Sequence, residues 1–130
     1  MVSFIKTMTI LLLIYSCQII AQQSIAHNEL LINQMSDQAH IIVDVRSAEE
    51  FAQGHIKGAI NIPFNQIEQH ENLLEQYKSS QLVVYCRSGR RAGIFIESLA
   101  PKGFNLLHLE GDMNAWLKAN LPVITGPSVD

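Results

Sequence analysis

The sequence predicts an α/β fold, with a mostly parallel central sheet and helices on both faces. Short aliphatic runs alternate with helical patterns from residue 28 to residue 124, as they do when helices join parallel strands. The length of 130 residues suits one domain and not two. Apolar residues make up 48 % of the chain, enough to build a compact core. No internal repeat or low-complexity segment interrupts the alternation.

Each element has a local reason. Residues 28–35 carry Leu31, Ile32 and Met35 at helical spacing, with Asn28 as the expected N-cap. The run 41–45 is β-branched and reads as a buried strand. Ser47 then caps a short helix whose first turn holds Glu49 and Glu50. Gly54 and Gly58 bracket a turn, and 59–62 is a second short strand closed by Pro63. A longer helix is expected over 65–77, with Ile67, His70, Leu74 and Tyr77 on one face and Glu71 and Glu75 solvated. The third strand is Gln81–Tyr85. An apolar helix over 92–100 stops at Pro101 and Gly103. Asn105–Leu109 is a strand, Asp112–Lys118 a helix, and 121–124 a terminal extended piece.

The N-terminus differs in composition. Lys6 is the only charge before residue 22, and residues 8–21 have none. That apolar stretch is short for a bilayer span and matches the core of a secretory signal. The expected division is a signal peptide over 1–21 and a single domain over 22–130, with its core at about 28–123. The expected location is periplasmic or secreted. A second route would anchor the protein as a lipoprotein through Cys17, which follows the small residue Ser16. Loss of Lys6 moves the formal net charge from −3 to −4, which argues against a nucleic-acid partner. The five histidines show no ligand spacing, so no metal is expected.

The chemistry concentrates at Cys86-Arg87-Ser88-Gly89-Arg90-Arg91. A cysteine between a strand end and a helix start lies where backbone N–H groups point outward and the helix dipole is positive. That setting favours the thiolate near neutral pH. Three arginines within five residues offer a small dianion a place to bind. A free cysteine is often a core filler. The five residues that follow are polar, however, so the strand is expected to surface at Cys86. In an open α/β sheet, sites lie beyond the carboxyl ends of strands, where this cysteine stands.

The chain resembles the rhodanese domains. Asp44-Val45-Arg46, Glu50-Phe51 and the segment Gly54 to Pro63 are similar to the family's N-terminal signature. Cys86 to Arg91 resembles its active-site loop, and Gly111-Asp112-Met113-Asn114-Ala115-Trp116 its C-terminal Gly-Gly-x-x-Ala-Trp segment. Three motifs in order cover nearly all of the chain after residue 21. With a signal peptide and one domain, the likeness is to the small periplasmic thiosulfate sulfurtransferases of the phage-shock type. Two departures stand out: Asp112 replaces the second glycine of the last motif, and Ala92 stands where many members have serine.

The resemblance implies that Cys86 is the catalytic sulfur acceptor, cycling between thiolate and persulfide without a cofactor. It implies that Arg87, Ser88, Gly89, Arg90 and Arg91 hold the sulfur donor. Asp44, Arg46 and His55 are expected to support the site structurally, and Trp116 to fill the core. The expected substrates are a small sulfur-containing anion and a thiol or cyanide acceptor. A persulfide carrier or sensor that hands sulfur to a protein partner needs the same loop and stays open. A phosphatase or arsenate reductase on the same fold is less consistent with the loop. Those enzymes place five residues between cysteine and arginine, and here that position is Ala92.

Overall fold

A computed structural model of the chain describes residues 22–128; the expected signal peptide and Cys17 fall outside the described residues. Five strands form one sheet in the order β1-β5-β4-β2-β3, and every pairing is parallel. They are β1 (Ser24–Ile25), β2 (Ile41–Asp44), β3 (Ile60–Asn61), β4 (Gln81–Tyr85) and β5 (Asn105–Leu109). The helices are α1 (His27–Gln34), α2 (Ala48–Gln53), α3 (Glu71–Gln76), α4 (Arg90–Leu99) and α5 (Asp112–Lys118). The α/β expectation therefore holds.

Strand pleating divides the core in two. Val43, Leu82 and Val84 face one side and meet Leu74 of α3 and Ala92, Phe95, Ile96 and Leu99 of α4. Ile42, Val83, Tyr85 and Leu109 face the other side and meet Leu30 of α1 and Met113 and Trp116 of α5. The central strand β4 thus buries both faces, as a strand in a parallel sheet must.

Several boundaries move. Helix α1 begins at His27 behind Ala26, with no side-chain cap, so Asn28 is not the N-cap. The helix expected over 65–77 is broken. A 3-10 turn spans Glu68–His70, His70 leaves helical geometry at φ −118°, and α3 starts only at Glu71. The His70 ring is bonded at 2.8 Å to the Gln66 carbonyl, which favours the tighter turn. Helix α4 starts two residues early, at Arg90. The short edge strand β1 was not expected. Residue 124 pairs as an isolated antiparallel bridge with His55. The Ser47–Glu50 capping box forms as read.

Candidate active site

Cys86 follows the last residue of β4, which pairs with β2 on one side and β5 on the other. Its own backbone is held from the α5 side. The Cys86 N–H donates to Asp112 Oδ1 at 3.0 Å. The Cys86 carbonyl accepts from the Met113 N–H at 3.0 Å, and the Arg87 carbonyl from the Asn114 N–H at 3.1 Å. The first turn of α5 therefore directs its free amides to the cysteine loop. This links the last sequence motif to the loop motif physically. Gly111 makes the approach possible: its φ is 71°, and a Cβ there would run into the Ala115 side chain.

The sulfur is bounded by a tight turn. Gly89 donates its N–H to Cys86 Sγ at 3.1 Å. That bond requires Gly89 at φ 117°, a conformation only glycine adopts readily. Helix α4 then begins at once, so Arg90 and Arg91 lie in its first turn. Cys86 is only 1 % exposed, and the chain surfaces one residue later, at Arg87. The expectation that the strand surfaces at the cysteine is corrected accordingly. The polar residues are outside because the turn lifts them, while the thiol stays at the bottom of the loop. Cys86 is the free cysteine of the described residues.

The loop arginines differ from one another. Arg87 and Arg90 are exposed. Arg91 is not open to solvent in the same way: its guanidinium grips Glu50 with two bonds, of 2.6 and 3.0 Å. The hydrogen bond from Arg91 pulls the Glu50 carboxyl down to about 2, against the opposing effect of burial. The same bond raises Arg91 above its ordinary value. Arg91 thus ties α4 to α2.

Of the expected supporting residues, Arg46 lines the same cavity as Arg87 and pairs with Asp44, while His55 packs on α2. Asp44 is fully buried and takes two bonds from the Arg46 side chain through Nε, at 3.0 and 3.1 Å, and one through Nη2 at 2.7 Å. Burial alone would lower the Arg46 value, but the Asp44 bond and charge leave it raised. Arg46 Nη2 also donates to the Gly54 carbonyl at 2.7 Å. His55 stacks on Phe51 with ring centroids 3.6 Å apart, and its Nδ1 is 2.8 Å from the Phe51 carbonyl. Three further residues were missed as contributors. Tyr85 accepts the Ile56 N–H at 3.1 Å, and burial pushes its hydroxyl far up. Asn61 donates to the Asp44 and Arg46 carbonyls at 3.0 Å. His108 contacts both carboxylate oxygens of Asp112, at 2.9 and 3.1 Å. A lone polar residue between Leu107 and Leu109 was the available signal for His108.

A cavity of about 290 Å³ opens beside the loop. Its lining includes Arg46, Arg87, Met113, Asn114 and the exposed side chains of Leu117 and Val123. Among the described residues no group of three or more His, Cys, Asp or Glu is arranged to hold a metal ion.

Comparison with known proteins now places the chain. Residues 27–119 match the rhodanese-like domain. The chain belongs to that family. An uncharacterized protein of Synechocystis is 36 % identical over 87 residues, 66 % of this chain and 48 % of the relative. The chain therefore spans about half the length of that protein. The chloroplastic thiosulfate sulfurtransferase 16 of Arabidopsis thaliana is 34 % identical over 110 residues, covering 76 % of this chain and 87 % of the relative. Thiosulfate sulfurtransferase PspE of Escherichia coli is 35 % identical over 68 residues, 52 % of this chain and 64 % of the relative. A crystal structure of a rhodanese-related protein from Thermoplasma volcanium superposes with a TM-score of 0.70 at 29 % identity, covering 78 % of this chain and 97 % of the other. The rhodanese-like assignment made from the three motifs stands, with sulfurtransferases among the relatives.

Proposed function

We propose that this rhodanese-like domain is a thiosulfate-type sulfurtransferase that carries sulfane sulfur on Cys86. The observation that carries the reading is the turn around the sulfur: the Gly89 N–H aimed at Cys86 Sγ, with Arg87 and Arg90 exposed beside it. The Cys86 thiolate attacks the outer sulfur of thiosulfate. A Cys–S bond forms, the S–S bond of the donor breaks, and sulfite leaves with the electron pair. A thiolate or cyanide then attacks the outer sulfur of the persulfide. The thiolate of Cys86 departs and is regenerated. Two such displacements are nucleophilic catalysis through a covalent intermediate.

Charge decides which groups are needed. A dianion meets an anionic sulfur only where cations and amide dipoles offset the repulsion. Arg87, Ser88, Gly89 and Arg90 are assigned to the donor. Arg91 contributes its field from the Glu50 pair. Asp44, Arg46 and His55 hold the strand ends behind the loop.

The carrier reading rests on the same persulfide. Exposed Leu117 and Val123 on the rim of the neighbouring cavity favour a protein acceptor there. Turnover separates the two readings, since a carrier is labelled once while an enzyme cycles. We also assign export with a mature start near Gln22, supported by the uncharged stretch over residues 8–21 behind Lys6. A lipid on Cys17 would instead tether the domain to a membrane.

Intact mass of the purified protein before and after thiosulfate tests both assignments. The expected untreated mass begins at Gln22, and the treated one is heavier by one sulfur atom. Cys86→Ser is expected to keep the fold, gain no sulfur and turn over no thiosulfate. Thiosulfate turnover by folded Cys86→Ser would overturn the assignment.

A further inference from the structure

Beside the cysteine loop lies a hydrogen-bonded pair, Asp112 and His108, that the sulfur chemistry above does not use. Asp112 is 2 % exposed and holds a left-handed backbone at φ 54°, where the family pattern places glycine. Its Oδ1 accepts the Cys86 N–H at 3.0 Å. Both of its oxygens face His108 Nε2, at 2.9 and 3.1 Å. The other ring nitrogen of His108 is 3.3 Å from Gln22 Oε1. The pair also lies close behind the far side of the turn. A Cβ on Gly89 would lie 3.1 Å from Asp112 Oδ2 and 3.4 Å from His108 Cε1. Cys86 is thus bonded directly to the carboxylate, and any side chain added at Gly89 would meet both the carboxylate and the imidazole.

That placement has an electrostatic consequence. A carboxylate one peptide away from Cys86 repels both a thiolate and any anion that approaches it. A glycine in its place would carry no such charge. A strained backbone and a buried anion persist only where the surroundings stabilise them. Here His108 supplies the second donor to the carboxylate.

We propose that Asp112 and His108 form a positioning pair for Cys86, in which Asp112 fixes the cysteine peptide and His108 shields the loop from the carboxylate's charge. The inference takes Cys86 as the reacting group and so rests on the function proposed above. It concerns the field around the sulfur, which can be read without any sulfur transfer.

The test compares alkylation of Cys86 by iodoacetate, an anion, with alkylation by iodoacetamide, its neutral analogue. The ratio of the two rates reports the local charge and cancels changes in nucleophilicity or loop fit. His108→Leu is expected to lower the iodoacetate-to-iodoacetamide ratio roughly three- to tenfold by exposing the loop to the carboxylate. Asp112→Asn keeps an oxygen for the Cys86 N–H and removes the charge. It is expected to raise the ratio above that of the unmodified protein and to restore the ratio in His108→Leu. In thiosulfate turnover, His108→Leu should raise KM more than it lowers kcat. An unchanged ratio in folded His108→Leu would overturn the proposal, as would a double variant no better than His108→Leu. If His108→Leu does not fold, Asp112→Asn alone decides: an unchanged ratio overturns the pair. Failure of the unmodified protein to take sulfur from thiosulfate would remove the proposed function, while the alkylation ratio would still decide for or against the pair.

Discussion

At the scale of single residues, the arginines divide by what they touch. Arg91 forms a two-bond pair with Glu50 across two helices, while Arg87 is exposed and, among the described residues, in no ion pair. The sequence shows three arginines near a cysteine and cannot tell these apart, because Glu50 lies 41 positions away in the chain. What was legible at Glu50 was the capping box with Ser47, a contact within one turn. The division has a measurable result. Arg91→Ala should lower stability by about 1–2 kcal/mol, a half-buried bidentate pair being stronger than a surface one. Arg87→Ala should leave stability unchanged and raise the KM for thiosulfate. The acid dependence follows from Glu50, whose carboxyl sits at about 2 instead of the ordinary 4.5. A lowered carboxyl stabilises the fold in full above its unfolded value and loses that contribution as pH falls toward the folded one. The stability gap between Arg91→Ala and the unmodified protein should therefore shrink between about pH 4.5 and pH 2, as urea unfolding at several pH values would show. A gap that widens in acid contradicts the pairing.

At the scale of elements, the starts of α4 and α5 set the site. Helix α5 delivers two amides and the Asp112 side chain to the cysteine loop, and Gly111 is the residue that lets it do so. The motif around Trp116 was readable as a sequence signature, but its contact with Cys86 was not. Nothing local reveals that two helix amides end on carbonyls 27 residues earlier. The break at His70 is missed for a different reason: helical periodicity continues through it, while the ring bonds locally to the Gln66 carbonyl. Strand β4 was legible to the residue because a β-branched pair between polar ends is a strong local signal. Edge strand β1 has two residues and no such signal. Gly111→Ala is expected to cost about 2 kcal/mol or more, from a positive φ and a Cβ driven into Ala115. Activity should fall further than stability alone accounts for, since the Cys86 and Arg87 carbonyls lose their partners. Urea midpoints and thiosulfate turnover on the same sample measure both. A variant with native stability and native turnover would show that the close approach is dispensable.

At the scale of the whole molecule, the parallel sheet explains why the site is where it is. All five strands run the same way, so their carboxyl ends share one edge, and Cys86 leaves the central strand there. That much follows from the alternation of strands and helices. The size of the loop is also a whole-molecule property, because both of its ends are anchored in the core. Cys86 is packed in the same cluster as Ala92, Phe95 and Leu99, on the sheet face covered by α4. Residue 92, where a phosphate-gripping arginine would have to stand, is a fully buried alanine. An arginine there would place an unpaired cation in the core. Between these anchors the Gly89 N–H donates to the sulfur, and α4 begins at the next residue. A single transferred sulfur fits such a ring, whereas a tetrahedral phosphate needs a wider ring of amides around it. The protein should therefore hydrolyse aryl phosphates at no more than the background rate while taking sulfur from thiosulfate. Para-nitrophenyl phosphate assayed beside thiosulfate, with Cys86→Ser as the control, measures the contrast. Phosphatase turnover that depends on Cys86, without any persulfide formed from thiosulfate, would mean that the loop opens wider than its anchors allow here. It would move the chain's chemistry from sulfur to phosphorus on an unchanged fold.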